Sequence, residues 1–457
     1  MIRHYILGCV LASSLILLVS SFRGDDFADL PGPYCENIGC CNNRLDSCSV
    51  PILGTLCYCD EFCNSSRVDD CCPDYWSHCR GITFPTTERT RPTPPQPPEN
   101  ITGCQWGDRT LFLNQKVKDN CNECTCARQS ELLCERNVCL VDQNIIETVN
   151  RNPDEFGWTA QNYSEFWGRT LDDGVQFRLG TLPPQRFVMT MNPVKRIYDP
   201  NSLPRDFDSN SVWRGLITGI QDQGWCGSSW AISTAAVASD RYGIVSKGKE
   251  AVTLSAQNLV SCDTQGQQSC TGGHLDRAWS FTKAYGLVDE DCFPYVARNE
   301  RCTIKRRGTL EAAGCRQQRF AERRGRYTVG PAYRLGNETD IMYEITRSGP
   351  VQATMKVYHD LFTYSGGIYK HSDLAVNHKQ GYHSVRIVGW GEEYNYRGVQ
   401  KYWKVANSWG ANWGEDGYFR IVRGTNECEI ESFVIASWPH VSRKILLSNE
   451  LGTNSVY

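Results

Sequence analysis

Beyond its N-terminus this 457-residue chain has no run long and apolar enough to span a bilayer, and it has no strong charge of either sign, the formal net charge being −3. The first absence leaves no transmembrane segment. The second says little about partners, and no nucleic-acid partner, cofactor or metal is expected. Aliphatic residues are scarce from 35 to 79, where no core of useful size can form and disulfides must supply the staples. Cysteine, in turn, is absent between Cys139 and Cys226. So long a chain predicts two to four units.

What the N-terminus does have is Arg3 and His4 ahead of an apolar run from Tyr5 to Val19, then Ser20-Ser21. Residues 1–21 therefore read as a cleaved secretion signal, because the run is shorter than the ~20 residues of a membrane anchor. Removing Cys9 leaves 23 of the 24 cysteines, in blocks of ten, six and seven at 35–79, 104–139 and 226–428. Such density implies an oxidising compartment. The first two blocks can pair fully; the third leaves one thiol over. Asn64, Asn100, Asn162 and Asn337 stand in Asn-X-Ser/Thr tripeptides, which fit a secreted glycoprotein but also arise by chance.

The order CYCDEFCNSSRVDDCCPDYWSHC over Cys57 to Cys79 resembles the core of a somatomedin B module, assigned to 35–80. Two cysteines beyond that family's eight leave its pairing open. Prolines and threonines then predict an extended spacer over 81–102. Cys121-Asn-Glu-Cys124-Thr-Cys126, followed by Cys134 and Cys139, could suggest zinc, but secreted thiolates are usually oxidised to disulfides. Residues 103–140 resemble a shortened von Willebrand factor type C module. From 141 to 202 the pattern changes: Ile145, Ile146 and Val149 share a helical face, and Phe156, Trp158 and Phe166 supply aromatic anchors.

Papain-type peptidases need a thiolate against an imidazolium, an Asn that orients the imidazole, and a Gln side chain near the oxyanion. In QDQGWCGSSWA, Gln223 lies six residues and Cys226 three before Ser229, and Trp230 follows it. His383 sits in GYHSVRIVGWG and Asn407 in NSWGANWGEDGYF. Together with RSGPVQATMKVYHDLFTYSGGIYKH these segments resemble the papain family, cathepsin B above all, and residues 141–202 resemble its propeptide. The resemblance implies an α+β, two-lobed domain over 203–440, with a short tail at 441–457. It also implies a Cys226–Cys270 disulfide, pairing of Cys262, Cys292, Cys302 and Cys315 among themselves, and Cys428 as a buried, inert free thiol.

Ser229 departs from that family where its cysteine nucleophile belongs. A thiol of pKa ~8.5 is readily drawn to thiolate, whereas an alkoxide is several units harder to reach. Gln223, Ser229, His383 and Asn407 are therefore expected to be vestigial. Between Cys292 and Cys315 there is no histidine, so the paired histidines of the cathepsin B occluding loop are missing, and Phe433 aligns with that family's acidic subsite residue. The stretch from Arg301 to Arg326 holds nine basic residues, among them Lys305, Arg306, Arg307, Arg316, Arg319, Arg323, Arg324 and Arg326, against two acidic ones. It reads either as a solvated loop or as a docking patch for sulfated glycosaminoglycans.

The whole order of segments resembles the tubulointerstitial nephritis antigen family. That implies a secreted, non-catalytic glycoprotein of extracellular matrix or basement membrane, with matrix proteins, integrin-type receptors or secreted signalling proteins as partners. The alternatives are a secreted endopeptidase using Ser229, and a protease-like decoy that binds peptides or inhibitors.

Overall fold

The computed structural model describes residues 32–52, 55–64, 70–82, 103–128, 131–304, 310, 315, 325–395, 398–442 and 445. The secretion signal, Asn100, most of the spacer, Lys305, Arg306, Arg307, Arg316, Arg319, Arg323, Arg324 and nearly all of the tail lie outside them. Of the nine basic residues Arg301 and Arg326 are described, and the Arg326 guanidinium donates to the Tyr285 carbonyl (3.4 Å). Two compact units are present, one up to residue 101 and one from residue 102.

In the first unit a hairpin of Ser49–Ile52 and Thr55–Tyr58 is tied by five disulfides, 35–59, 40–79, 41–48, 57–72 and 63–71. Its buried cluster consists of cysteines plus Ile52 and Tyr75. All ten thiols are consumed, so covalent bonds replace the missing aliphatic core.

The second unit begins with two small antiparallel sheets stapled by Cys104–Cys126, Cys121–Cys139 and Cys124–Cys134. Helix α1 (Gln143–Arg151) follows, capped by Asp142 Oδ1 on the Asn144 N–H (2.9 Å). Its Ile145, Ile146 and Val149 are buried on one face. They join the same core as the large sheet, so the 141–202 segment packs as part of the domain.

That sheet has nine strands: β1 (Trp158–Ala160), β2 (Phe207–Asp208), β3 (Tyr333–Leu335), β4 (Val351–Val357), β5 (Tyr364–Tyr369), β6 (Gly381–Asn395), β7 (Gly398–Ala406), β8 (Tyr418–Val422) and β9 (Phe433–Ala436). Their order is β3-β9-β4-β6-β7-β8-β5-β1, with β2 on β6; only β5–β8 is parallel. Opposite lies a helical lobe of α2 (Ser229–Val245), α3 (Ala256–Cys262) and α4 (Leu275–Tyr285), with its own core. Helix α2 is buried nearly all round and runs between the lobes. Buried Asp240 on α2 accepts from Arg386 on β6 (2.5 Å), which ties the two lobes. The result is the expected α+β, two-lobed architecture. Disulfides Cys226–Cys270, Cys262–Cys302 and Cys292–Cys315 staple the helical lobe, and Cys428 is free and buried.

Candidate functional site: a cleft between two lobes

Each lobe brings one half of the constellation. Ser229 opens α2, His383 stands near the start of β6, and Asn407 follows the end of β7. All are buried, as is Gln223. His383 Nε2 donates to Asn407 Oδ1 (2.7 Å), and the ring lies against Trp409 (centroids 5.2 Å apart). Burial pushes the imidazole down to about 4, outweighing the Asn407 and Leu179 oxygens that favour the charged form. The ring is therefore neutral near pH 7, and among the described residues its Nδ1 has no well-formed hydrogen-bond partner.

Ser229 does not complete the pair. Its hydroxyl shares a hydrogen bond with Thr181 Oγ1 (2.9 Å) and accepts the Ser384 N–H (3.3 Å). A serine nucleophile needs its base within hydrogen-bond reach of the proton to be taken, and the hydrogen bonds of this hydroxyl among the described residues are with Thr181 and the Ser384 N–H. Gln223 is engaged as well. Its Nε2 faces the carbonyls of Cys226 (2.9 Å), Leu179 (3.2 Å) and Phe177 (3.3 Å), while Ser408 Oγ donates to its Oε1 (2.7 Å).

The groups that fill the cleft belong to the 141–202 segment. Thr181 donates its N–H to the Tyr382 carbonyl (3.1 Å), and Leu182 N–H and the Gly180 carbonyl pair with Gly273 (2.9 and 3.0 Å). One strand thus bridges β6 and the helical lobe. At Gly180, whose φ is +93°, a side-chain carbon would come within 2.1 Å of the Gly227 carbonyl carbon, so only glycine fits this crossing. Arg178 is buried, paired with Asp222 (2.9 Å) and Glu165 (3.0 Å) and flanked by Phe166 and Trp225. Its carbonyl accepts from Trp409 Nε1 (2.6 Å).

Phe433 on β9 is buried in the helical-lobe core. It lines a cavity of about 220 Å³ with Thr354 and Tyr382, and Pro183, Pro184 and Met189 of the 141–202 segment form the other wall. Among the tripeptide asparagines, Asn162 is exposed, whereas Asn337 is exposed but caps a helix through its Oδ1 on the Asp340 N–H (2.8 Å). That cap leaves the Asn337 amide nitrogen, the atom a glycan would use, uncommitted to the helix.

Sequence reasoning located the four cleft residues but missed Thr181, Arg178, Asp222 and Ser408, which decide what those residues touch. Their positions follow from how the 141–202 segment crosses the lobes, which no local spacing encodes.

Residues 203–438 match the model of the papain family of cysteine proteases. The chain is 44% identical over 433 residues to a human protein named tubulointerstitial nephritis antigen-like, covering 90% of each. It is 42% identical over 430 residues to human tubulointerstitial nephritis antigen, covering 89% of this chain and 87% of that one. Among solved structures it resembles procathepsin B S9 from Trypanosoma congolense, with a TM-score of 0.54 and 32% identity over 67% of this chain and 100% of that one.

Proposed function

Because the chain belongs to the tubulointerstitial nephritis antigen family, we propose that it is a secreted, non-catalytic glycoprotein of the extracellular matrix whose papain-like domain serves as a binding scaffold. The observation that carries this reading is the hydroxyl of Ser229, held by Thr181 and the Ser384 N–H instead of by His383. An imidazole that gives up its proton at about pH 4 is a weak base for a serine. Paired cysteines in both small modules suit an oxidising, extracellular setting, and no helix among the described residues is long and apolar enough to cross a membrane.

In this reading the 141–202 segment stays attached, because removal by the domain's own chemistry has no nucleophile. The partners are matrix proteins, integrin-type receptors or secreted signalling proteins, with sulfated glycosaminoglycans as a further candidate for the basic stretch. Pull-down from matrix extract with the full chain, competed by each small module, would identify the binding surface. Activity is tested with the purified full chain on cathepsin peptide substrates beside Ser229→Ala. No turnover is expected from either. Turnover by the wild type that disappears in Ser229→Ala would replace the scaffold reading with that of an endopeptidase.

A further inference from the structure

Away from the cleft, the turn before β9 gathers three different metal-ligating groups. His371 Nδ1, Glu427 Oε1 and Cys428 Sγ all lie within 4.8 Å of one another. The imidazole nitrogen is 2.6 Å from the carboxylate, and the thiol sulfur is 3.4 Å from the same oxygen. Glu427 and Cys428 are buried, while the His371 ring is partly open to solvent, which leaves a way in. Tyr358 stacks on that ring (centroids 4.3 Å apart, planes 12° from parallel) and fixes the direction of Nδ1. Cys428 is the free cysteine among the described residues, so it is the one sulfur there able to bind a cation as thiolate.

The surroundings favour a positive charge. Asp360 is fully buried two residues after Tyr358, and Glu429 follows Cys428. Among the described residues the ion pair of Glu427 is with His371, and neither Asp360 nor Glu429 forms one with Lys or Arg. Three carboxylates around a buried thiol are thus offset by one imidazole, an arrangement a bound dication would relieve.

We propose that His371, Glu427 and Cys428 form a zinc-type site, taking one borderline-soft divalent cation with a water molecule in the fourth position. One nitrogen, one oxygen and one sulfur suit zinc over calcium or magnesium, which take oxygen alone. One ion with bonds of ~2.0–2.3 Å spans donors about 3.3–3.8 Å apart in a tetrahedron, so three donors that lie within 4.8 Å of one another share it after side-chain shifts on the order of 1 Å. On binding, the thiol proton leaves to solvent. Zinc takes the Nδ1 lone pair of His371 while Nε2 carries the ring proton, so with the thiol proton at least one proton is released per zinc.

The test uses the full secreted chain, stripped with chelator and titrated with zinc chloride, then with cobalt(II) chloride as a spectroscopic probe. One equivalent of zinc is expected by elemental analysis after gel filtration. A near-ultraviolet thiolate-to-cobalt charge-transfer band should appear and be lost in Cys428→Ser. His371→Ala, at a partly exposed ring, should fold and bind zinc at least tenfold more weakly. Zinc should also slow alkylation of the wild-type thiol, a readout that needs no variant. Absence of stoichiometric zinc would overturn the proposal, as would unchanged binding in His371→Ala or cobalt binding without the sulfur band.

Discussion

Across residues 35–79 five disulfides enclose a buried cluster of cysteines with Ile52 and Tyr75, whereas the 141–202 segment is joined to the papain-like lobes without any disulfide. The second contact rests on a shared apolar core, the β1–β5 pairing, and main-chain bonds from residues 180 to 182. Only the first region shows from composition alone how it is held. Cysteine density announces the first, while the second needs the aromatic anchors to be placed in three dimensions. Redox conditions should therefore act on one and side-chain truncation on the other.

The largest effect is expected from mild reduction of the full chain. Each native disulfide of a small module contributes ~2–4 kcal/mol, so losing five exceeds what a core of two apolar side chains can replace. Limited proteolysis with mass mapping should show cuts within 35–80 while the Trp158 and α2 regions stay protected. Simultaneous opening of both would break the contrast.

Trp158→Ala attacks the other side. The indole is buried, donates to the Lys370 carbonyl (3.0 Å), and packs against Tyr369 (centroids 5.2 Å apart). Truncation should cost ~3–5 kcal/mol. Cutting between 150 and 190 should accelerate, with the 35–80 module unaffected.

The cleft adds a pH dependence of its own. His383 holds its proton only below about pH 4 when folded, against 6.5 for an ordinary imidazole. Between those values the unfolded chain binds more protons, so this contribution is complete above ~pH 6.5, falls as pH drops, and levels off below about 4. The total is ~3 kcal/mol. His383→Gln should flatten that part of the stability profile in chemical denaturation. An unchanged slope would mean that another group carries it.

How much of this was legible depends on whether a local pattern carried it. The helical face of Ile145, Ile146 and Val149 is written in their spacing, and α1 buries all three. The two-lobed fold was legible because segments around Ser229, His383 and Asn407 each keep a family pattern. What those residues touch was not. Gln223, read as part of an oxyanion site, spends its amide on backbone carbonyls, and Thr181 carries no signal among ordinary threonines. The ion pair of Asp240 with Arg386 was equally hidden, because two charged residues within apolar stretches become partners only after α2 meets β6.

Tyr163→Phe gives the smallest and cleanest probe of the attached segment. The phenol donates to the Tyr364 carbonyl (2.6 Å) and accepts the Gly414 N–H (2.7 Å), linking the 141–202 segment to β5 and to the loop before β8. Burial raises its pKa, so the group is a neutral hydroxyl at all ordinary pH values. Removing the oxygen keeps the ring and its contact with Phe166 (centroids 5.9 Å apart) but strands the Gly414 donor. A loss of ~1–3 kcal/mol follows from one buried group left without its partner. Amide exchange should rise first at Gly414. If it rose equally in the 35–79 hairpin, the two regions would not be independently held after all.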